Sequence, residues 1–127
     1  AQRYGVDFKM NPHFPINTLP LMRGVIGIQL RQPARFDAFL SAVFTALWVK
    51  GSNLNDPAVT AATLVEAGFD PAEVFALVND ADIKAALKTN TEEAVARGVF
   101  GAPTVFVGDA MFFGQDRLDF VREALAA

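Results

Sequence analysis

The sequence predicts an α/β protein that is mostly α-helical, with one C-terminal β-hairpin and a final helix. Three observations carry this. Apolar residues recur at i, i+3, i+4 spacing, most clearly at Phe36, Phe39, Leu40, Val43, Phe44 and Leu47. Helix punctuation is dense, with Asp-Pro pairs at 56–57 and 70–71 and glycines at 51, 68 and 98. Thr104–Val107 and Ala110–Phe113 are short runs rich in β-formers, and the Gly108-Asp109 pair between them suits a type II′ hairpin turn with Gly first.

Taken in order, residues 1–5 fit the last turn of a helix closed by Gly5. The stretch 10–18 holds Asn11, Pro12, Pro15 and Asn17, and its prolines keep it an extended loop. Thr18 or Asn17 then caps a helix over 18–32, with Leu21, Val25 and Ile28 on one side and Met22 and Ile26 beside them. Gly24 and Gly27 lower helix propensity, so they mark places where a neighbouring backbone comes close. Pro33 pre-sets the first turn of the next helix, which carries the Phe36 to Leu47 stripe and ends near Gly51.

A polar connection over 52–55 leads to a short helix opened by Asp56-Pro57 and stopped by Gly68. The next helix start combines Asp70 as N-cap, Pro71 at N1, Glu73 at N3 and a Phe69 to Val74 staple. A further helix over 82–97 buries Ile83, Leu87, Ala94 and Val95, and Gly98 ends it. Pro103 stands just before the first strand, where its missing N–H costs no ladder bond, and the residues alone permit a cis or a trans peptide there. After the hairpin, Asp116 caps a last helix in which Leu118, Val121 and Leu125 share a face.

Composition narrows the function classes. With 127 residues, 52% of them apolar, the chain has material for one core of ordinary size, hence one domain or less. A net charge of −3 with eleven scattered Lys and Arg residues argues against nucleic acid as a partner. The absence of cysteine removes a disulfide framework, thiolate metal sites and a CxxC redox pair within the chain, and a single histidine removes a multi-His metal site. No apolar run approaches the roughly 18 residues of a membrane span, and no basic-then-apolar leader is visible, so a soluble cytoplasmic protein is expected.

A lone two-stranded hairpin is marginal without more sheet or helix against it. A resemblance bears on this. Gly98-Val99-Phe100-Gly101-Ala102-Pro103-Thr104, then a hairpin, then Phe113-Gly114-Gln115-Asp116-Arg117-Leu118 opening a helix, resembles the C-terminal half of the thioredoxin-like fold in the DsbA family. More closely, it resembles the 2-hydroxychromene-2-carboxylate isomerases and the related kappa-class glutathione transferases. The string from Asn11 to Thr18 and that from Arg97 to Gly101 are most similar to the isomerase branch. The resemblance implies a thioredoxin-like fold of the DsbA/kappa type with a helical insertion. Residues 1–97 would be the end of the linking segment plus the insertion, residues 98–127 the C-terminal ββα half, and the N-terminal βαβ half would be absent from this sequence.

Backbone groups flanking a proline before an edge strand can pair with an extended peptide, and Ala102 would offer both its N–H and its C=O. By resemblance, Ala102 holds the cysteinyl part of glutathione, Pro103 is cis, and Phe113, Gly114, Gln115 and Asp116 receive the γ-glutamyl group. A helix N-terminus beside an acidic side chain suits a zwitterionic end, although plain capping also explains Asp116. His13, the one histidine, is the candidate for proton transfer, with no partner at readable spacing. Asn17 and Thr18 match positions that face the aromatic substrate in the isomerase branch, and helix capping explains them equally well.

The family's catalytic serine lies after the first strand, so no residue of this chain matches it; Ser41 and Ser52 do not. The expectation is therefore a glutathione-dependent isomerase of an aromatic acid, with no metal, nucleic acid or membrane partner, and with a homodimer compatible with the resemblance. Alternatives are a kappa-type transferase, a DsbA-like thiol-disulfide oxidoreductase requiring a CxxC outside this sequence, and a non-catalytic helical interaction module.

Overall fold

Side-chain caps set the helix boundaries, because the first N–H groups of a helix have no partner within it. In the computed structural model, which describes residues 1–126, the Asp56 carboxylate accepts from Ala58 N–H at 2.8 Å and starts α3 (Pro57–Glu66). Asp70 does the same for Ala72 N–H at 2.8 Å and starts α4 (Pro71–Asn79). The earlier helices are α1 (Leu19–Arg31) and α2 (Phe36–Thr45), the latter entered through a 3-10 turn at Pro33–Arg35. Then follow α5 (Ala81–Ala96), β1 (Thr104–Val107), β2 (Ala110–Phe113) and α6 (Leu118–Ala126). Among the described residues, no helix is long and apolar enough to cross a membrane.

The chain divides into two compact units between Lys88 and Thr89, inside α5. In the first unit α1 packs on α4 and on α2, with α3 against α2 and α4. Ile28 and Phe39 are almost fully buried there with Leu64, Phe69 and Val74. The rings of Phe39 and Phe69 meet edge to face at 5.3 Å. Each such buried side chain contributes roughly 1.5–3 kcal/mol of transfer free energy. In the second unit β1 and β2 pair antiparallel in the register Thr104↔Phe113 to Val107↔Ala110, and α6 packs on both strands.

Helices α3 and α5 end alike. Gly68 N–H bonds Val65 C=O and Phe69 N–H bonds Leu64 C=O; Gly98 N–H bonds Val95 C=O and Val99 N–H bonds Ala94 C=O. This paired pattern is the Schellman closure that a glycine just past the helix favours. At the hairpin turn Gly108 has φ 57° while Asp109 keeps a negative φ, as the type II′ expectation requires.

Several expectations are corrected. What approaches Gly24 and Gly27 is side chain rather than backbone: a Cβ on Gly24 would lie 2.9 Å from Phe39 Cζ, and one on Gly27 2.8 Å from Leu77 Cβ. The core takes one ridge of α2, Phe39 and Val43, so Phe44 on the flanking ridge is exposed. Val95 is exposed, since it lies in the half of α5 beyond Lys88, outside the helical core. Helix α5 runs from Ala81 to Ala96 where 82–97 was expected, because Asp80 caps it, accepting from Asp82 N–H at 2.8 Å and Ile83 N–H at 3.1 Å. Of the two candidates for capping α1, Asn17 accepts from Leu19 N–H at 3.2 Å, and Thr18 makes no side-chain cap bond.

Among the described residues Asn11 is the one buried polar residue, 3% exposed. Past Thr45 the helix widens into a π turn at Ala46–Lys50, closed by Gly51. Asn11 Nδ2 donates to Leu47 O at 3.1 Å and Ser52 O at 2.9 Å at that turn, while its Oδ1 accepts from His13 N–H at 2.9 Å. One side chain thus fastens the 10–18 loop to the end of the helix.

Replacing Asn11 with Ala strands two carbonyls and one N–H, and should lower unfolding free energy by roughly 1–3 kcal/mol in a denaturant titration; a change under about 0.5 kcal/mol would mean that water replaces these bonds freely. Gly27→Ala should cost more than Gly24→Ala. Leu77 Cβ is fixed to its backbone, whereas the Phe39 ring tip borders a cavity of about 40 Å³ that also touches Gly24. Helix propensity returns only about 1 kcal/mol in either variant, so the denaturant midpoints of the pair decide the order.

Candidate functional site

The second unit brings most of the predicted site residues together. Gly98 turns the chain out of α5, and the loop 99–103 runs into β1. The Ala102–Pro103 peptide is cis, as the resemblance implied; Phe14–Pro15 in the first unit is cis as well. Because Pro103 has no N–H, it enters the ladder only through its carbonyl, which accepts from Gly114 N–H at 2.9 Å. That bond extends the pairing one step past Thr104↔Phe113 and places the proline loop beside the chain that enters α6. Thr104 Oγ1 closes the loop from inside, donating to Gly101 O at 2.6 Å.

Ala102 is exposed, and among the described residues its N–H and C=O carry no hydrogen bond. Gly101 beside it lies against the Phe113 ring, where a Cβ would sit 2.6 Å from Phe113 Cε2. The rings of Phe100 and Phe113 lie 4.7 Å apart, tilted by 52°. Arg97 steadies the far end of the hairpin: its guanidinium lies 3.5 Å from the Phe106 ring centroid, and Nη2 donates to Gly108 O at 3.3 Å. Cation–π contact and hydrogen bond together tie the end of α5 to the turn.

Asp116 is not the N-cap that its sequence position suggests. Gly114 occupies that position, with φ 108° and no side-chain cap bond, and Gln115–Arg117 form a 3-10 turn leading into α6. Asp116 instead folds back so that a Cβ on Gly114 would lie 2.5 Å from its Oδ1. Among the described residues its one ionic partner is Arg117 Nε at 3.9 Å, a long and exposed pair that leaves the carboxylate accessible. The N–H groups of Gln115 and Asp116 precede the first turn's bond, Arg117 N–H to Gly114 O at 3.1 Å, and carry none themselves among the described residues. Free donors and a free carboxylate therefore stand within two residues of each other.

His13, Asn17 and Thr18 belong to the first unit. His13 is exposed and held through its backbone by Asn11. Asn17 N–H donates to Asn55 Oδ1 at 2.9 Å while its Oδ1 caps α1, which leaves its Nδ2 donors unused among the described residues. Ser41 lines an open cavity of about 230 Å³ between α2 and α3 with Thr45, Lys50 and Glu66. Two residues were given no role of their own by the sequence reading, Asn11 and Phe100, which entered it only within the 10–18 loop and the strings that carry the resemblance.

Comparison with known proteins follows from this geometry. The family model for the DSBA-like thioredoxin domain matches residues 1–126. A protein named 2-hydroxychromene-2-carboxylate isomerase from Sphingobium xenophagum is 26% identical over 124 residues, covering 98% of this chain. Glutathione s-transferase kappa 2 of Caenorhabditis elegans is 28% identical over 142 residues, covering 99% of this chain. A solved structure of a selenomethionine 2-hydroxychromene-2-carboxylate isomerase superposes with a TM-score of 0.78 at 26% identity, covering 99% of this chain and 60% of that one. The chain spans 64% of the Sphingobium relative's length and 61% of the kappa relative's.

Gly114→Ala should destabilise the second unit by roughly 1–3 kcal/mol, from the left-handed backbone and the displaced Asp116 carboxylate together. Hydrogen exchange should then quicken at Gly114 N–H; unchanged protection there would mean that the loop absorbs the methyl group without opening.

Proposed function

The chain belongs to the DSBA-like thioredoxin domain family, and from that premise we propose that it acts as a glutathione-dependent isomerase of 2-hydroxychromene-2-carboxylate or a similar aromatic acid. The observation that carries the reading is the exposed, unpaired backbone of Ala102 beside Pro103, joined through the Pro103–Gly114 bond to the free N–H groups that open the last helix. An extended γ-glutamyl tripeptide has the matching chemistry. Its peptide groups can pair with Ala102 as an added strand. Its terminal α-carboxylate can accept from the N–H groups of Gln115 and Asp116, where the helix end favours negative charge. Its ammonium can meet the Asp116 carboxylate, which Arg117 holds only loosely.

Glutathione held by Ala102, Gln115 and Asp116 would supply a thiolate nucleophile for a conjugated carbon of the acid, chemistry that needs no net oxidation and consumes no thiol. The task of this chain's residues is to hold and orient. Ala102 fixes the peptide, Pro103 sets the peptide bond that presents Ala102, Phe113 backs Gly101 beside it, and Gly114 admits the turn that aims Asp116. Within the helical unit taken by itself, the reading keeps Asn17 Nδ2, the Thr18 hydroxyl and the His13 side chain as groups that a carboxylate ligand would meet. None of these three side-chain donors is engaged elsewhere among the described residues.

The kappa relative favours a second reading, a transferase that would use the same positions to make a stable conjugate. Thiol titration during turnover separates the two, because an isomerase returns all free glutathione and a transferase consumes it in step with product.

Calorimetric titration tests the shared premise. Glutathione should bind, Asp116→Ala should weaken it by about tenfold or more, and the dipeptide Cys-Gly, which lacks the γ-glutamyl group, should bind both proteins equally. Equal loss for both ligands would place Asp116 away from the γ-glutamyl end, and no heat from glutathione with the parent protein would sink the reading.

A further inference from the structure

Of the aromatic pair beside the proline loop, Phe100 is not explained by packing among the described residues. Phe100 is 72% exposed and Phe113 43% exposed, although each ring is large enough to stabilise a core by burial. Phe113 has structural work, since it lies against Gly101 and sits in the hairpin. Among the described residues the Phe100 ring meets one other ring, that of Phe113, and its outer face is open. Apolar surface left open beside free backbone donors and acceptors is a common mark of a ligand site.

We propose that Phe100 is a specificity-determining residue, whose open ring face, backed by Phe113, receives the planar aromatic part of the acid. The inference rests on the glutathione reading above and adds to it the recognition of the second substrate. Phe100 stands two residues before Ala102. Successive Cα atoms are 3.8 Å apart, which keeps the two Cα atoms within about 7.6 Å. Under that reading the aromatic acid must lie beside the cysteinyl part of the tripeptide, and Ala102 holds that part. A planar substrate placed there falls within reach of the Phe100 ring. The tilted pair offers both ring face and ring edge, the two arrangements that aromatic ligands prefer.

Gly101 matters to this arrangement. Any side chain at 101 would push on Phe113, and so would disturb the ring that backs Phe100. The carboxylate of the acid is not addressed by these rings, so the pair selects for a planar apolar body and leaves charge recognition to other groups.

The test uses chromone-2-carboxylate, a stable planar bicyclic acid, and cyclohexanecarboxylate, which has the same charge and no ring face. In the Phe100→Trp variant, the added indole emission, taken as a difference from the parent protein, should be red and open to acrylamide quenching. Chromone-2-carboxylate should quench it saturably and shield it from acrylamide, and cyclohexanecarboxylate should do neither. Phe100→Leu, which keeps an apolar side chain, should weaken chromone-2-carboxylate by roughly three- to tenfold in calorimetry while glutathione affinity stays within twofold.

Blue emission that neither quencher nor ligand changes would mean that protein covers the ring, and would overturn the proposal. So would equal chromone-2-carboxylate affinity in Phe100→Leu and the parent. Failure of the parent to bind glutathione, with the aromatic acid still sensitive to Phe100, would remove the isomerase reading and leave an aromatic-acid site. Glutathione binding with indifference to Phe100 would do the reverse.

Discussion

A single hydrogen bond, Gly114 N–H to Pro103 C=O at 2.9 Å, holds the candidate site in register. Pro103 can offer the sheet nothing but its carbonyl, so this bond carries the β1–β2 pairing one step further and keeps the loop before β1 beside the chain after β2. With it, residues more than ten apart in sequence become neighbours: the unpaired Ala102 backbone on one side, the free N–H groups of Gln115 and Asp116 on the other. The rest of the second unit supports that contact. Phe113 backs Gly101, Thr104 Oγ1 closes the loop, and Arg97 pins the far turn through Phe106 and Gly108.

What the residues alone disclosed depended on the range of the interaction involved. Asp56, Asp70 and the Gly108-Asp109 turn act on partners within a few positions, and the structure has them where local rules put them. Both strands fall on the expected residues for the same reason. The glycines of α1 were legible only in part. A missing side chain says that something comes close, and only the fold says that it is Phe39 and Leu77. Asn11 was silent because its partners, Leu47 O and Ser52 O, lie 36 and 41 residues away. Periodicity could not divide the α2 stripe either, since it marks an apolar band and does not tell which ridge of it the core will use.

The candidate site follows the same logic. Pro103 stands out in the sequence through backbone chemistry, since proline has no N–H, and Ala102 follows as its neighbour, whereas Gly114 entered only through the resemblance. Asp116 was misplaced by two positions because a carboxylate near a helix start normally caps it, whereas here Gly114 takes the cap position and Asp116 folds back over it. Phe100 gave no signal, since an exposed phenylalanine and a buried one are the same letter.

The π turn at Ala46–Lys50 has a consequence for how this chain can be matched to others. A π turn is a helical turn that has taken in one more residue than the regular repeat. Removing that residue would rotate everything after it by about 100° relative to everything before it. Leu47 O and Ser52 O, the two carbonyls that Asn11 joins, would then no longer point the same way. The loop and the helix are thus locked to a common length. A relative that lacks the extra residue must also do without an asparagine in this role, and a one-residue gap near Thr45 is a structural event at the loop, not a neutral slip of alignment.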